Sequence, residues 1–186
     1  MKWKILFFSL LGINGFIIVL LLFYMFQPSP SPNIPNIKGE EPIFTVQTSK
    51  QHMNTLIRDY IQKHEKKGEL SYDVQLADRL YIISAIPIFG KQVDLTMAFD
   101  PTVDENGHIV LAHPTMTFGQ LRLPVPYVLS YIDQHASLPN WVKVDAKKER
   151  IYIVVSDIRI KKGYMLKAKT FDLSKDDMTF TVTIIK

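Results

Sequence analysis

Apolar residues follow three rhythms along this chain, and each rhythm predicts a different element. From Ile5 to Phe26 the run ILFFSLLGINGFIIVLLLFYMF has no polar side, and Tyr24 is its only ionisable residue. At ~1.5 Å per residue, such a helix spans a bilayer core of ~30 Å. Gly12, Asn14 and Gly15 interrupt the run without adding charge. The second rhythm is helical and one-sided. Met53, Leu56, Ile57, Tyr60 and Ile61 recur at spacings of three and four, the stripe of a helix with one face on a core. Thr48 or Ser49 is placed to cap that helix, Lys63, Lys66 and Lys67 fill its last turn, and Gly68 ends it.

The third rhythm has period two. It is cleanest in Val93, Leu95, Met97 and Phe99, which predicts a strand with one buried face. Ile43–Val46, Leu70–Ala77, Leu80–Ile88, Gln92–Phe99, His108–Leu111 and Thr115–Leu123 are strand-like, with turns at Phe89-Gly90-Lys91 and Asp104-Glu105-Asn106-Gly107. A shorter helix fits Pro124–Gln134, with Val128, Leu129 and Ile132 inward. Strands follow at Val142–Asp145, Arg150–Arg159, Tyr164–Asp172 and Thr179–Ile185. Arg79-Leu80-Tyr81-Ile82-Ile83-Ser84 resembles Arg150-Ile151-Tyr152-Ile153-Val154-Val155-Ser156. A helix–strand–strand–strand unit used twice would explain that, as would convergent strand composition.

The predicted fold is α+β: an N-terminal transmembrane helix, then a curved, mostly antiparallel β-sheet packed on a long helix and a second shorter helix. The organisation is a cytoplasmic start over 1–4, an anchor over 5–26, a proline-rich tether over 27–42 and an extracytoplasmic domain over 43–186. Lys2 and Lys4 precede the anchor with no acidic residue beside them, which favours a cytoplasmic amino terminus. Trp3 at one end and Phe23, Tyr24 and Phe26 at the other suit the two membrane interfaces. A secretory signal has an apolar run of only ~7–15 residues and a small-residue cleavage site; QPSPSP offers none, so the anchor is expected to be uncleaved. Prolines at 28, 30, 32, 35 and 42 make the tether an extended, semi-rigid spacer.

Charge and composition exclude more than they assign. The formal net charge is +4, and two of its lysines precede the anchor, so the remainder is nearly balanced and leaves no nucleic-acid footprint. Cysteine is absent, which removes thiol catalysis, disulfides and zinc–thiolate sites and fits a Gram-positive surface. No G-x-S-x-G, H-E-x-x-H, G-x-G-x-x-G or P-loop pattern occurs. Asp100–Asn106 spaces oxygen side chains like a calcium loop, yet Glu105 replaces the glycine and Leu111 the bidentate glutamate, so DENG reads as a hairpin turn. His52, His64, His108, His113 and His135 read as surface or interfacial residues, with no metal site and no cofactor among them.

What remains is apolar excess in IYIVV, LYIIS, TVTII and RLPVPYVL, which means doubly buried strands or a sheet lining an apolar groove. Residues expected to line such a groove are Met53, Leu56, Tyr60, Ile83, Ile86, Met97, Phe99 and Tyr127. The basic start, single anchor, proline-rich tether, TSKQHMNTLIRDYI helix, LYIISAIPIFGKQVDLTMAFDP stretch and LRLPVPYVLSYI segment together resemble the YpmS family of Bacillota, a domain of unknown function. The resemblance implies an uncharacterised envelope protein anchored in the cell membrane by a single pass, often encoded near a lipase-like hydrolase, and it carries over no catalytic residue. The expected role is therefore non-enzymatic: a module holding a lipid or lipid-linked precursor in the sheet–helix groove. The alternative is a scaffold that positions an envelope enzyme through an edge strand.

Overall fold

The computed structural model describes residues 2–25, 31–35, 42–64, 72–88, 91–136, 138–158 and 163–184. The elements are helix α1 (Lys2–Met25), strand β1 (Phe44–Thr48), helix α2 (Lys50–His64), then β2 (Tyr72–Leu76), β3 (Leu80–Ile88), β4 (Lys91–Val103), β5 (Ile109–Phe118) and β6 (Leu121–Arg122). Helix α3 (Val125–His135) precedes β7 (Val142–Asp145), β8 (Arg150–Ile153), a 3-10 turn (Val155–Asp157), β9 (Tyr164–Asp172) and β10 (Asp177–Ile184). The expected helix stop at Lys66, Lys67 and Gly68, the strand start at Leu70 and the turn at Phe89-Gly90 lie outside the described residues, as does most of the tether.

The architecture is α+β and its strands pair antiparallel, but in two sheets where the sequence led us to expect one. A small sheet has the order β1-β10-β9, and a large one the order β2-β3-β4-β5-β8-β7 with β6 paired to β5. The split falls where the second repeat-like segment was expected to run on as strand to Arg159. The chain leaves extended conformation after Ile153, turns through Val155–Asp157, and β9 and β10 join the other sheet. The two similar segments thus occupy unlike positions, β3 inside a meander and β8 beside β5 and β7. Likewise the strand expected at His108–Leu111 and the first part of the one expected at Thr115–Leu123 are one strand, β5, carried through Pro114 by a bulge, while the rest turns back at Gly119 and pairs with β5 as β6.

That bulge organises the large sheet. Ala98 faces Thr115 and Asp100 faces Ala112, so His113 and Pro114 stand opposite Phe99 alone. His113 takes the extra residue's left-handed conformation at φ 46. Proline is tolerated in a central strand at such a break, where no ladder N–H is required of it. A bulge bends its strand and sharpens twist. On one side of the bend, β4 and β5 continue into β3 and β2; on the other, into β8 and β7.

Helix α2 crosses this face. Ser49 precedes it and its Oγ accepts the N–H of His52 at 3.4 Å, the capping role expected of Thr48 or Ser49. The Asn54 side chain then pairs with the edge strand, accepting the Leu76 N–H at 2.8 Å and donating to the Leu76 carbonyl at 3.0 Å. Two turns on, Tyr60 packs edge-on against Trp141, just before β7, with ring centroids 5.7 Å apart. One helix therefore touches one outer strand and the residue that leads into the other. It rises only about 9 Å between these contacts, while six flat strands would set the edges about 24 Å apart. Side-chain reach and the bend of the sheet close the difference.

The core lies beneath, built from Leu76, Leu80, Met97, Phe99, Leu111, Met116, Leu129, Val144 and Ile151 of the large sheet and α3, and Phe171, Met178 and Phe180 of the small one. The described side chains of helix α1 contribute nothing to it. Its described side chains, Trp3, Lys4 and Phe7 to Leu20, are all exposed. Among the described residues no helix is long and apolar enough to cross a membrane; the described side chains of α1 stop at Leu20.

Candidate functional site

Strand register lays the inner face of the large sheet out in rows. Leu76, Leu80 and Phe99 form the innermost and are buried. The next row, Val74, Ile82, Met97, Met116 and Leu123, is buried at the two methionines and half-buried elsewhere. The third is Tyr72, Ser84, Leu95, Phe118 and Leu121. There the cover runs out: Leu95 and Phe118 are half-buried, Tyr72 is 46% exposed and Leu121 67%. Burial thus falls along the strands from a closed core to an open, largely apolar edge four strand spacings wide, about 19 Å. The two exposed apolar side chains, Tyr72 and Leu121, stand at the ends of this row, with half-buried Ser84, Leu95 and Phe118 between them.

The structure distributes the eight expected lining residues over different environments. Met97 and Phe99 belong to the closed rows, at 7% and 0% exposure. Met53 packs half-buried on the core. Leu56, on the flank of the same helix, is 60% exposed, because the buried side of α2 is the narrower strip of Met53, Asn54, Ile57 and Ile61. Tyr60 is half-exposed, stacked on His64 and edge-on to Trp141. Ile83 pairs with Thr96 on the opposite side of the sheet from Ile82 and Met97, since neighbours in a strand face opposite ways. Ile86 is paired with Val93, and its side chain lies outside the described ones. Tyr127 is half-buried in the first turn of α3, while Val125, Val128, Leu129 and Ile132 are the residues of that helix that meet the core. Leu95, Phe118, Tyr72 and Leu121 were not singled out. The period-two signal did contain Leu95, but only pairing register brings the other three beside it.

The outer side of the bend carries the densest polar cluster. Arg79 donates from Nε to Asp100 Oδ1 at 2.6 Å, from one terminal nitrogen to the His113 carbonyl at 2.6 Å, and from the other to Thr115 Oγ1 at 3.1 Å. His113 Nδ1 stands 3.5 Å from the other Asp100 oxygen. From the turn before β3 the guanidinium bridges β4 and β5 and fastens the residues on both sides of the bulge. Beside it the Tyr81 hydroxyl donates to the Asp78 carboxylate at 3.1 Å, and that hydrogen bond, with desolvation, raises the phenol's pKa. A shallow cleft of about 480 Å³ opens between the sheets here, bordered by Asp78, Asp100, Lys169 and Asp172. The Ser174 hydroxyl and the Lys175 backbone N–H hold Asp172 down to about 2. These donors are spent on turns and strands, the bland use of such groups.

The histidines divide as well. His52, His64, His113 and His135 are exposed, but His108 is wholly buried, contrary to the surface or interfacial reading. Among the described residues no three acidic or histidine side chains converge as a metal site would require. The Ser49 hydroxyl lies 3.2 Å from His52 Nδ1, a contact that follows from helix capping.

Comparison with known proteins agrees over the length of the chain. The family model described as an uncharacterized protein conserved in bacteria (DUF2140) matches residues 1–184. The chain is 30% identical over 185 residues to the uncharacterized protein YpmS of Bacillus subtilis (strain 168), covering 97% of this chain and 96% of that one. No solved structure matches it significantly.

Proposed function

We propose that this chain, which belongs to the bacterial DUF2140 family, is a membrane-anchored, non-enzymatic module that holds the acyl chain of a lipid or lipid-linked precursor against its open sheet edge. The observation that carries the reading is the fall of burial from Phe99 through Met97 to Leu95, Phe118, Tyr72 and Leu121. A sheet face buried at one end and open at the other suits a long apolar chain, whose binding there removes exposed hydrocarbon from water.

The anchor belongs to the same reading. The backbone of α1 is helical for 24 residues, about 36 Å at ~1.5 Å per residue. After Lys4 it carries no charge, and its described side chains find no protein to cover them. A helix apolar on every side needs a core or a bilayer around it. Asn14, its most polar member, donates to the Leu10 carbonyl at 2.9 Å and so satisfies part of its amide within the helix. The basic start would remain in the cytoplasm and the domain would stand outside.

Purification of the full chain from its own membranes, followed by mass spectrometry of bound lipid, tests the proposal. Near-stoichiometric lipid is expected. Leu95→Asp and Phe118→Asp should abolish it with circular dichroism unchanged. Lipid retained by both variants would overturn the assignment.

A second reading rests on β1. Its sequence FTVQT is uncharged, its outer edge pairs with no strand among the described residues, and Phe44 and Val46 are 56% and 50% exposed. Unprotected edges invite an added strand, as a scaffold for an envelope enzyme would require. Cross-linking from Phe44 to one dominant protein, with no lipid found, would favour it.

A further inference from the structure

The buried histidine has a partner outside the sheets. His108 follows Gly107 in the β4–β5 turn, where Asp104 fixes its backbone: the His108 N–H donates to Asp104 Oδ1 at 2.8 Å, and its carbonyl accepts the Asp104 N–H at 3.0 Å. Gly107, at φ 80, accepts the Ala168 N–H of β9 at 2.8 Å, so the turn lies on the seam between the sheets. The His108 ring is 0% exposed, and Nε2 lies 3.0 Å from the carbonyl of Pro35, a tether residue. A carbonyl only accepts, so Nε2 carries the proton and donates it. Nδ1 has no hydrogen-bond partner among the described residues, so the contact with Pro35 is the ring's one polar tie there.

The tether sequence is suited to being held. Ser31 and Ile34 each precede a proline and are driven to extended backbone, while Pro32 and Pro35 have fixed φ. Little chain entropy is lost on docking such a segment. Side chains alternate along it, with Ser31, Asn33 and Pro35 exposed and Pro32 and Ile34 half-buried. Two apolar side chains and one carbonyl face the domain.

We infer that residues 31–35 are a strap, pinned by His108, which sets how far the domain can stand from the end of α1. Unpinned, the eighteen steps from Met25 to Ile43 reach about 60 Å when extended; pinned at Ser31, six steps reach about 20 Å. The strap itself does not depend on the proposed function; only its consequence, a domain held against the lipid surface, rests on the anchor.

The absence of cysteine allows a direct test in the full chain in detergent micelles. Ile34→Cys should react with a maleimide at least about tenfold more slowly than Asn33→Cys, the protection a docked segment gives. His108→Leu should bring the two rates together, and His108→Gln, which keeps a donor, should restore the difference. Equal rates in the otherwise native chain, or a ratio unmoved by His108→Leu, would overturn the strap. A second arm leaves the domain untouched, should His108→Leu fail to fold. Replacing Pro32 by Gly and Ile34 by Ser should speed deuterium exchange at the His108 ring C2 position by about tenfold. Unchanged exchange there refutes the inference independently. Neither readout involves lipid, so the strap and the lipid reading fail separately.

Discussion

Replacing Arg79 by methionine should lower the stability of the domain by about 1–2 kcal/mol and loosen the bend of the large sheet. The guanidinium makes three hydrogen bonds, two of them at 2.6 Å. Bonds to charged groups are worth ~1.5–3 kcal/mol each where water is excluded, which would suggest a far larger loss. But the Asp100 side chain is 46% exposed, and Thr115 is exposed as well. Water can therefore take over much of what the arginine leaves, and exposed ion pairs return only ~0.2–1 kcal/mol. The Arg79 side chain is itself only 24% exposed, so part of its apolar stem is covered. Methionine keeps part of that packing, so the loss isolates the polar fork. Urea unfolding of the full chain in mild detergent, followed by Trp141 fluorescence in a Trp3→Phe background, should show a midpoint lower by roughly 0.5–1 M for a slope of ~2 kcal/mol per molar. Lysine, with a point charge and no fork, should recover less than half of the difference. Amide exchange should rise at Asp100 and Thr115 and stay unchanged in β9 and β10. A loss below about 0.3 kcal/mol, within the range of a neutral surface change, or exchange rising equally in both sheets, would refute the view that this residue fastens the bulge.

Two further expectations follow from turns. At Gly107 an added Cβ would come within 2.8 Å of the Lys167 Cβ and 3.1 Å of the Ala168 carbonyl, on a backbone at φ 80. Gly107→Ala should therefore destabilise the domain by about 1–3 kcal/mol and, by shifting the seam, speed labelling at Ile34→Cys; normal stability would contradict the tight seam. Asp172, held at about 2 by Ser174 and Lys175, has a folded pKa below its unfolded one, so its contribution is complete above the unfolded pKa and is lost as pH falls through about 2. The stability gap between the native chain and Asp172→Asn should narrow from pH 5 to pH 2, and a gap constant over that range would refute it.

Much of this architecture was legible because local signals and tertiary packing agree. The α2 stripe, the cap at Ser49, the DENG turn and the alternation through Val93–Phe99 each specify an element without reference to distant residues. What sequence did not disclose depends on pairing. His113-Pro114 read as a strand boundary, since proline usually ends a strand, whereas the bulge opposite Phe99 lets β5 continue. Segment 150–159 read as one strand because its residues are β-branched and apolar, yet Val154 and Val155, at 0% and 1% exposure, are buried in a turn. Composition records burial there, and burial alone does not fix backbone conformation. The open row failed for the same reason. Tyr72, Leu95, Phe118 and Leu121 come from four strands, and their adjacency exists only in the register. His108 reads as surface or interfacial because a lone histidine between a turn and a strand gives no sign that a carbonyl 73 positions earlier will meet it.

Strap and open row together constrain how the domain can lie. The strap engages the turn at His108, beyond Val103 at one end of β4, whereas the open row crosses β4 at Leu95. Eight residues of strand separate these points, about 27 Å at ~3.4 Å per residue. Standing upright on the about 20 Å of chain that joins α1 to the strap, the domain would carry the open row far beyond the headgroups, and an acyl chain would have to leave the bilayer wholly before being bound. Lying along the surface, it would bring that row to the lipid, with exposed Leu121 and Tyr72 at the contact. A lipid-binding role therefore requires the second orientation. A fluorophore on Leu121→Cys, in the full chain reconstituted into vesicles, should be quenched by lipids bearing a headgroup-level nitroxide about as strongly as one on Ser31→Cys. Quenching at position 31 without quenching at 121 would mean an upright domain, and would leave the open row too remote to take a chain directly from the membrane.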